Sequence, residues 1–415
     1  MSEAGGISPL ATVDLMPSTA LLRSEIERLF PDRPFGVAFW DGSELPPTNG
    51  GGPTFRLQSR RAVAHALRAP GQLGIGRGYV TGDIAVDDLD AAMQVVLGWH
   101  PPAVDRKDQA KLALAALRSA GPMLPPAPPA AELRPKGRLH SITRDRRSVR
   151  HHYDLPPEFF KLFLGESFTY SCAIFSRGAT TLEEAQHTKL DLVCTKLNLQ
   201  PGERVLDVGC GWGSWAIHAA TEYGVHVTGI TLSEPQARIA RERAEAAGVA
   251  SLVDIRVADY REIQNEQFEA IASIGMVEHV GESQIDVYAR RLRSMLPTGG
   301  RLLNHGIARL NPNAPAPGPF SERYVFPDGD PVPLSRIELA LERAGFEVEH
   351  VEGFRDDYAE TLRHWARRLD EQLDEATRLA GPERVRVWRL YLRAARNGFE
   401  TGFTSIYQVQ CRAAS

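Results

Sequence analysis

The stretch Val205-Leu-Asp-Val-Gly-Cys-Gly-Trp-Gly213 restricts the fold of this chain more than any other. An apolar run stops abruptly in a glycine-rich turn, and Ser214-Trp-Ala-Ile-His-Ala-Ala220 then follows with a helical pattern. A buried strand that feeds such a turn and a helix N-terminus is the nucleotide-binding corner of a doubly wound α/β sheet. Gly209, Gly211 and Gly213 alternate, which permits unusual backbone angles and a close approach of backbone to ligand. Asp207 lies within the strand end. The third glycine of GxGxxG is missing, so the dinucleotide fingerprint fits poorly.

The pattern continues in alternation. A second strand, 225–230, runs into Thr231-Leu-Ser-Glu-Pro-Gln236, whose hydroxyl and amide groups suit a ribose. A helix over 235–247, a strand over 253–257 ending at Ala258-Asp-Tyr-Arg261, a strand over 268–274, a helix over 283–296 closed by Pro297, and a strand over 301–307 follow. This predicts a parallel α/β sheet with its ligand at the carboxyl ends of the strands. Beyond it come a Pro-rich insertion (310–332), a strand (346–351), helices over 357–379 and 382–397, and a terminal strand (402–410) as antiparallel partner of 346–351.

Ahead of the corner, residues 121–137 are rich in Pro and Ala and read as a semi-extended linker. They divide 1–120 from 138–415. The first 20 residues read as loose. Helical patterns over 24–30, 60–67 and 89–97, with a strand over 35–40 and a turn at Asp41-Gly42, predict a small α+β module. The glycine density of 71–83 predicts tight packing turns or a receiving surface. Residues 134–150 carry Arg134, Lys136, Arg138, Arg144, Arg146, Arg147 and Arg150 against Asp145, seven minus one, a local charge of +6. Each such group near an anionic membrane can contribute about 1 kcal/mol; a solvated helix face accounts for the run equally well.

The net charge of −4 over 415 residues gives no reason to expect nucleic acid. No stretch nears the roughly 18 unbroken apolar residues of a membrane span, and the N-terminus lacks a secretory pattern. Cys172, Cys194, Cys210 and Cys411 have neither disulfide nor metal spacing. A reduced, metal-free, cytoplasmic protein is expected.

The run DVGCGWG with its second strand end resembles the class I S-adenosylmethionine (AdoMet)-dependent methyltransferases. The ordered set His152-Tyr-Asp154, Tyr170-Ser-Cys172, DVGCGWG, Thr231-Leu-Ser-x-x-Gln236, Asp259-Tyr-Arg261, Met276-Val-Glu-His-Val-Gly281 and Tyr324-x-Phe-Pro-Asp-Gly329 narrows this. It resembles the cyclopropane-fatty-acyl-phospholipid synthase family, which includes mycolic acid cyclopropane and methyl-branching synthases. The likeness covers about 150–410, and the 71–79 segment resembles that family's lipid-docking domain. The fold it implies is an α/β Rossmann-like seven-stranded sheet with a smaller N-terminal α+β lipid-docking and dimerisation domain.

The activity implied is AdoMet-dependent methyl transfer to the double bond of an unsaturated phospholipid acyl chain at the membrane surface, on its inner face. The resulting carbocation loses a proton to a bound bicarbonate. By resemblance, Cys172, Glu278, His305, the backbone of Ile307 and Tyr358 hold the bicarbonate. Glu278 orients it through its own proton or through His279, since two bare anions repel. The resemblance assigns Tyr170 and Ser171 to the methionine end of AdoMet, Asp207 with Gly209, Gly211 and Gly213 to the corner, Thr231 and Gln236 to the ribose, and Tyr260 with Arg261 to the adenine. Ala395 stands where some members carry a cysteine, so no thiol nucleophile is expected. The product is a cyclopropane or, after a hydride shift, a 10-methylene chain, the tuberculostearic acid precursor, which a separate reductase would complete. A homodimer is expected. The alternative is a methyltransferase of a non-lipid small molecule. Ser273–Glu278 lacks the motif of amino-methylating nucleic-acid enzymes, and no nucleophile elbow is present for hydrolysis.

Overall fold

A computed structural model of the chain describes residues 18–124, 126–133, 140–146, 155–311, 319–325 and 329–415. The motif His152-Tyr-Asp154, residues 326–328 of the Tyr324 motif, and Arg134, Lys136, Arg138, Arg147 and Arg150 of the basic run lie outside the described residues. The chain divides into two units, Met1–Pro128 and Pro129–Ser415.

In the first unit, strands β1 (Gly36–Ala38), β2 (Glu44–Leu45), β3 (Thr54–Leu57) and β4 (Ile84–Val86) form a sheet ordered β2-β1-β3-β4. Leu22, Val37, Phe39, Leu45, Val63 and Ala116 make its core. The glycine-rich stretch is here a helix, Gln72–Thr81, and not a set of turns. The reason is close packing. A Cβ on Gly74 would lie 2.2 Å from the Ala69 carbonyl oxygen, and one on Gly78 would lie 2.7 Å from Ile84 Cδ1. Glycine lets this helix press on the helix Arg61–Arg68 and on β4. A further helix, Arg106–Ala120, is started by Asp105, whose side chain accepts from the Asp108 amide.

The second unit holds β5 (Arg204–Val208), β6 (His226–Thr231), β7 (Val253–Val257), β8 (Ala270–Ile274), β9 (Arg301–Arg309), β10 (Phe346–Gly353) and β11 (Thr404–Ala413). The sheet order is β10-β11-β9-β8-β5-β6-β7. Six strands run in one direction, and only β11 runs against them, between β9 and β10. Period-2 alternation splits the strand residues between two faces. Val205, Val227 and Ala270 pack with the helices Leu182–Lys196, Ser214–Tyr223 and Glu234–Ala246. Leu206, Val208 and Ile271 pack with Ile285–Ser294 and Leu334–Arg343.

A third core joins the helix Pro157–Leu164 to the two C-terminal helical stretches and is dominated by aromatic rings. Those stretches are Arg355–Asp370 and Leu373–Glu400, and the second is itself two helices: Gly381 is non-helical, so a break falls directly before Pro382 as the sequence predicts, and a further break falls at 371–372. Pro382 follows Gly381 (φ 76°) and opens the last helix, where its missing N–H disturbs little.

Gly74→Ala is a direct test of the helix crossing. Alanine alone would add up to about 1 kcal/mol of helix preference, but the clash reverses the sign. We expect a net loss of about 1–3 kcal/mol in urea denaturation.

Candidate functional site

The corner is built by three glycines of positive φ: Gly209 (82°), Gly211 (54°) and Gly213 (80°). The amides of Gly209 and Cys210 both donate to the Ile230 carbonyl, at 3.0 and 2.9 Å, which ties the turn to the end of β6. A Cβ on Gly209 would lie 3.2 Å from Met276 Cγ and one on Gly213 would lie 3.0 Å from Ala240 Cβ. On Gly211 it would meet nothing within 4 Å, so that backbone faces open space. Asp207 is buried, its Oδ2 has no hydrogen-bond partner, and burial pushes its carboxyl up to about 7 against the pull of Lys189. A corner with open backbone and an unsatisfied carboxylate oxygen fits a polar, cationic ligand such as AdoMet.

Residues 169–176 pass beside this corner, held from two sides. From the helix Leu182–Lys196, Gln186 Nε2 donates to the carbonyls of Thr169 (3.3 Å) and Ser171 (2.9 Å), and Lys189 Nζ donates to Ser171 Oγ (2.8 Å). From Arg355–Asp370, Asp357 Oδ1 accepts from the amides of Phe175 (2.6 Å) and Ser176 (2.7 Å). Thr361 Oγ1 accepts from the Ala173 amide at 3.0 Å. Arg243 joins the turn to the preceding loop by donating to the carbonyls of Trp212 (2.6 Å) and Ser167 (2.7 Å). Gln186, Lys189, Asp357 and Thr361 were not singled out from the sequence. A signal for two of them was present: Gln186 and Lys189 interrupt the buried stripe Leu182, Ala185, Leu190, Val193.

Four of the five bicarbonate candidates are linked around one residue, Phe354. The Cys172 thiol donates to its carbonyl (3.7 Å) as well as to that of Ala173, and the Tyr358 amide donates to it at 3.0 Å. The His305 ring stacks on the Phe354 ring with centroids 6.4 Å apart. Ile307 packs against the same core. Glu278 reaches this group from the turn Val277–His279. A Cβ on Gly306 would lie 3.2 Å from Glu278 Oε2 and 2.2 Å from Val277 Cγ1, so only glycine fits between His305 and Ile307.

The electrostatics are set by burial. Glu278 is pushed up to about 7, with the Ile307 amide pulling the other way, and its Oε2 is enclosed without a partner. His305 is fully buried, neither ring nitrogen has a partner, and its basicity falls to about 3 through burial and the charges of Lys189 and Lys196. His279 falls to about 4. Burial, then Asp357, holds the Cys172 thiol far above its ordinary value, so it stays protonated and poorly nucleophilic. Neutral donors and acceptors that lack partners suit a small hydrogen-bonding anion such as bicarbonate, without an opposing charge.

The remaining candidates divide. Thr231 Oγ1 donates to Gln236 Oε1 at 2.7 Å, so these two are brought together at the end of β6. Tyr260 lies at the end of β7, its ring edge-on to Tyr288. Arg261 lies over the Tyr260 ring, 5.4 Å from its centroid, and its guanidinium is engaged by Asp259, by Asp145 (2.7 Å) and by the His140 carbonyl (3.0 Å). Tyr170 sits in the aromatic core, 5.3 Å from Trp365. Among the described residues no His, Cys, Asp and Glu group could hold a metal ion.

Residues 140–409 match the family model of mycolic acid cyclopropane synthetase. The chain is 40% identical to a probable fatty acid methyltransferase of Mycobacterium tuberculosis over 364 residues, 85% of each chain. It is 30% identical to the tuberculostearic acid methyltransferase of the same organism over 412 residues, 96% of this chain and 92% of that one. Among solved structures, mycolic acid cyclopropane synthase CmaA1 complexed with SAH and CTAB matches at 32% identity and a TM-score of 0.61, over 64% of this chain and 98% of that one.

The raised Glu278 carboxyl has a testable signature. Folded protein keeps its proton between 4.5 and about 7, where the unfolded chain has lost it. The contribution to stability is therefore full below 4.5 and lost as pH rises through 7. Glu278→Gln, neutral throughout, should melt above wild type at pH 8, by an amount approaching about 3 kcal/mol. At pH 5 the advantage should shrink. An equal difference at both pH values would rule out the buried carboxylate as its source.

Proposed function

Because the chain belongs to the mycolic acid cyclopropane synthetase family and is an AdoMet-dependent methyltransferase, we propose that it methylates the double bond of an unsaturated phospholipid acyl chain. The observation that carries this reading is that His305, with neither ring nitrogen partnered, stacks on Phe354 of the core that also holds Phe159, Phe160, Phe163, Tyr170, Trp365 and Trp388, while Glu278 Oε2, also without a partner, lies beside Gly306.

The chemistry sets two demands. An alkene is a weak nucleophile, so the acceptor must be desolvated and aligned, and the aromatic core supports an apolar chain in this way. Methyl transfer to an alkene leaves positive charge on the chain, which ring faces favour. Gly209, Gly211, Gly213, Asp207, Ser171, Thr231 and Gln236 would hold AdoMet, which supplies the methyl group from its sulfonium. Glu278, His305, Cys172, Tyr358 and the backbone of Ile307 would hold bicarbonate, which supplies a base. Glu278 in its protonated form donates, while neutral His305 has one nitrogen to donate and one to accept. The Cys172 thiol, already donating to backbone carbonyls, keeps that wall small and neutral.

Proton loss from the new methyl closes a cyclopropane; after a hydride shift, the same loss leaves a methylene. Lipid docking and dimerisation are assigned to the first unit. There Leu21, Ile75, Val96, Leu114, Leu117 and Leu124 expose 46–90% of their surface. No helix among the described residues is long and apolar enough to cross a membrane.

The test is expression in a bacterium whose phospholipids lack cyclopropane and methyl-branched chains. Mass spectrometry should show unsaturated acyl chains gaining one CH2 unit. Ozonolysis then separates the products: a ring resists, a methylene is cleaved. His305→Ala should reduce the conversion by at least about a hundredfold, the order expected when an oriented polar group is removed. Unchanged lipids from a protein that still binds AdoMet would point to a small-molecule acceptor.

A further inference from the structure

Lys189 is a buried charge that the chemistry above leaves without a task. It is 1% exposed and lies in the apolar stripe of the helix Leu182–Lys196. Its ammonium donates to Ser171 Oγ at 2.8 Å, while Gln186, one turn earlier, holds the Ser171 carbonyl at 2.9 Å. Ser171 is thus fixed by main chain and side chain together.

The donor inventory gives this contact a direction. In its charged form, which an anionic ligand favours, Lys189 has three donors and no lone pair, so Ser171 Oγ then accepts. The hydroxyl proton of Ser171 is then turned away from Lys189 and needs an acceptor elsewhere. Enclosing an ammonium against a neutral hydroxyl is costly unless negative charge completes the site. Asp207, at the corner, supplies part of that charge and attracts Lys189.

We propose that Lys189 is a positioning residue for the amino-acid end of AdoMet: it fixes Ser171 as an acceptor, so that the Ser171 hydroxyl donates to the cofactor's carboxylate. The proposal rests on the AdoMet reading of the corner. It also accounts for the second charge, since the methionine end is a zwitterion and the pair Lys189 and Asp207 carries the two complementary signs. Burial holds Lys189 down to about 7 and Asp207 up to about 7, so both are near the point at which a charged ligand tips them to the ionised form.

Two ligands separate this role from a structural one. S-adenosylhomocysteine carries the amino-acid end; 5′-methylthioadenosine keeps the nucleoside and sulfur and lacks it. Calorimetric titration of the full-length protein should show Lys189→Met weakening S-adenosylhomocysteine about tenfold, the scale of one lost charge-assisted hydrogen bond. Methylthioadenosine affinity should stay within twofold. Lys189→Met/Ser171→Ala should bind S-adenosylhomocysteine no more weakly than Lys189→Met, because the two act in series. In turnover, the KM for AdoMet should rise with kcat within about threefold. Equal losses for both ligands, or none, would overturn the proposal and leave the AdoMet reading intact. If wild type binds neither ligand, that reading itself fails. Should Lys189→Met not fold, Ser171→Ala on the same two ligands carries the test, with Lys189 in place.

Discussion

Strands β5 and β8 lie side by side, yet the chain leaves β5 for β6 and β7 on one side and places β8 and β9 on the other. Right-handed crossovers from two such strands diverge to opposite faces, so no connection covers their carboxyl ends. A crevice at that point follows from connectivity. Gly209–Gly213 leave β5 there, Thr231 closes β6, Asp259 follows β7, and Glu278 follows β8. His305 pairs with Ile274, the last residue of β8, so it too stands at this level, and β9 runs on beyond it to Arg309.

What occupies the crevice wall is unfavourable for folding. Asp207 Oδ2, Glu278 Oε2 and both nitrogens of His305 are enclosed without partners, and each such group costs about 1–3 kcal/mol. The fold tolerates them because the surrounding cores are dense with apolar side chains. Neutralisation lowers the penalty: the carboxyls move up and the imidazole moves down, each toward its uncharged form. An arrangement that is poor for stability and good for holding a ligand is the usual signature of a site selected for function.

Much of this was legible in the sequence because it is local. The alternation of apolar runs with helical patterns specified the parallel strands, and the antiparallel pairing of 346–351 with the terminal strand followed from their length and position. Glycines were read less well. Those of 71–83 suggested turns, yet Gly74 and Gly78 serve a helix, since a close crossing and a turn demand the same absent Cβ. The helix Arg106–Ala120 went unassigned: Ala113, Ala115 and Ala116 blur the contrast on which periodicity depends. The roles of Asp357 and Thr361 could not be read, for they are defined by amides some 180 residues earlier in the chain. The partner of Arg261 at Asp145 could not be read either, since it lies far upstream of the motif.

Residues 169–176 act as a splint between the helix Leu182–Lys196, which borders the corner, and Arg355–Asp370, which carries Tyr358 and Trp365 into the aromatic core. A segment bonded to both cannot adjust to one without pulling on the other. On the proposed reading, with AdoMet at the corner and an acyl chain against the aromatic core, ligands on its two sides would be linked, and linkage is reciprocal: whatever factor the cofactor added to the grip on the chain, the chain would return to the cofactor. Substitutions aimed at chain length in the aromatic wall would then reappear as altered nucleotide affinity across the splint. In such an architecture, acceptor specificity and donor affinity would form one shared property rather than separate traits.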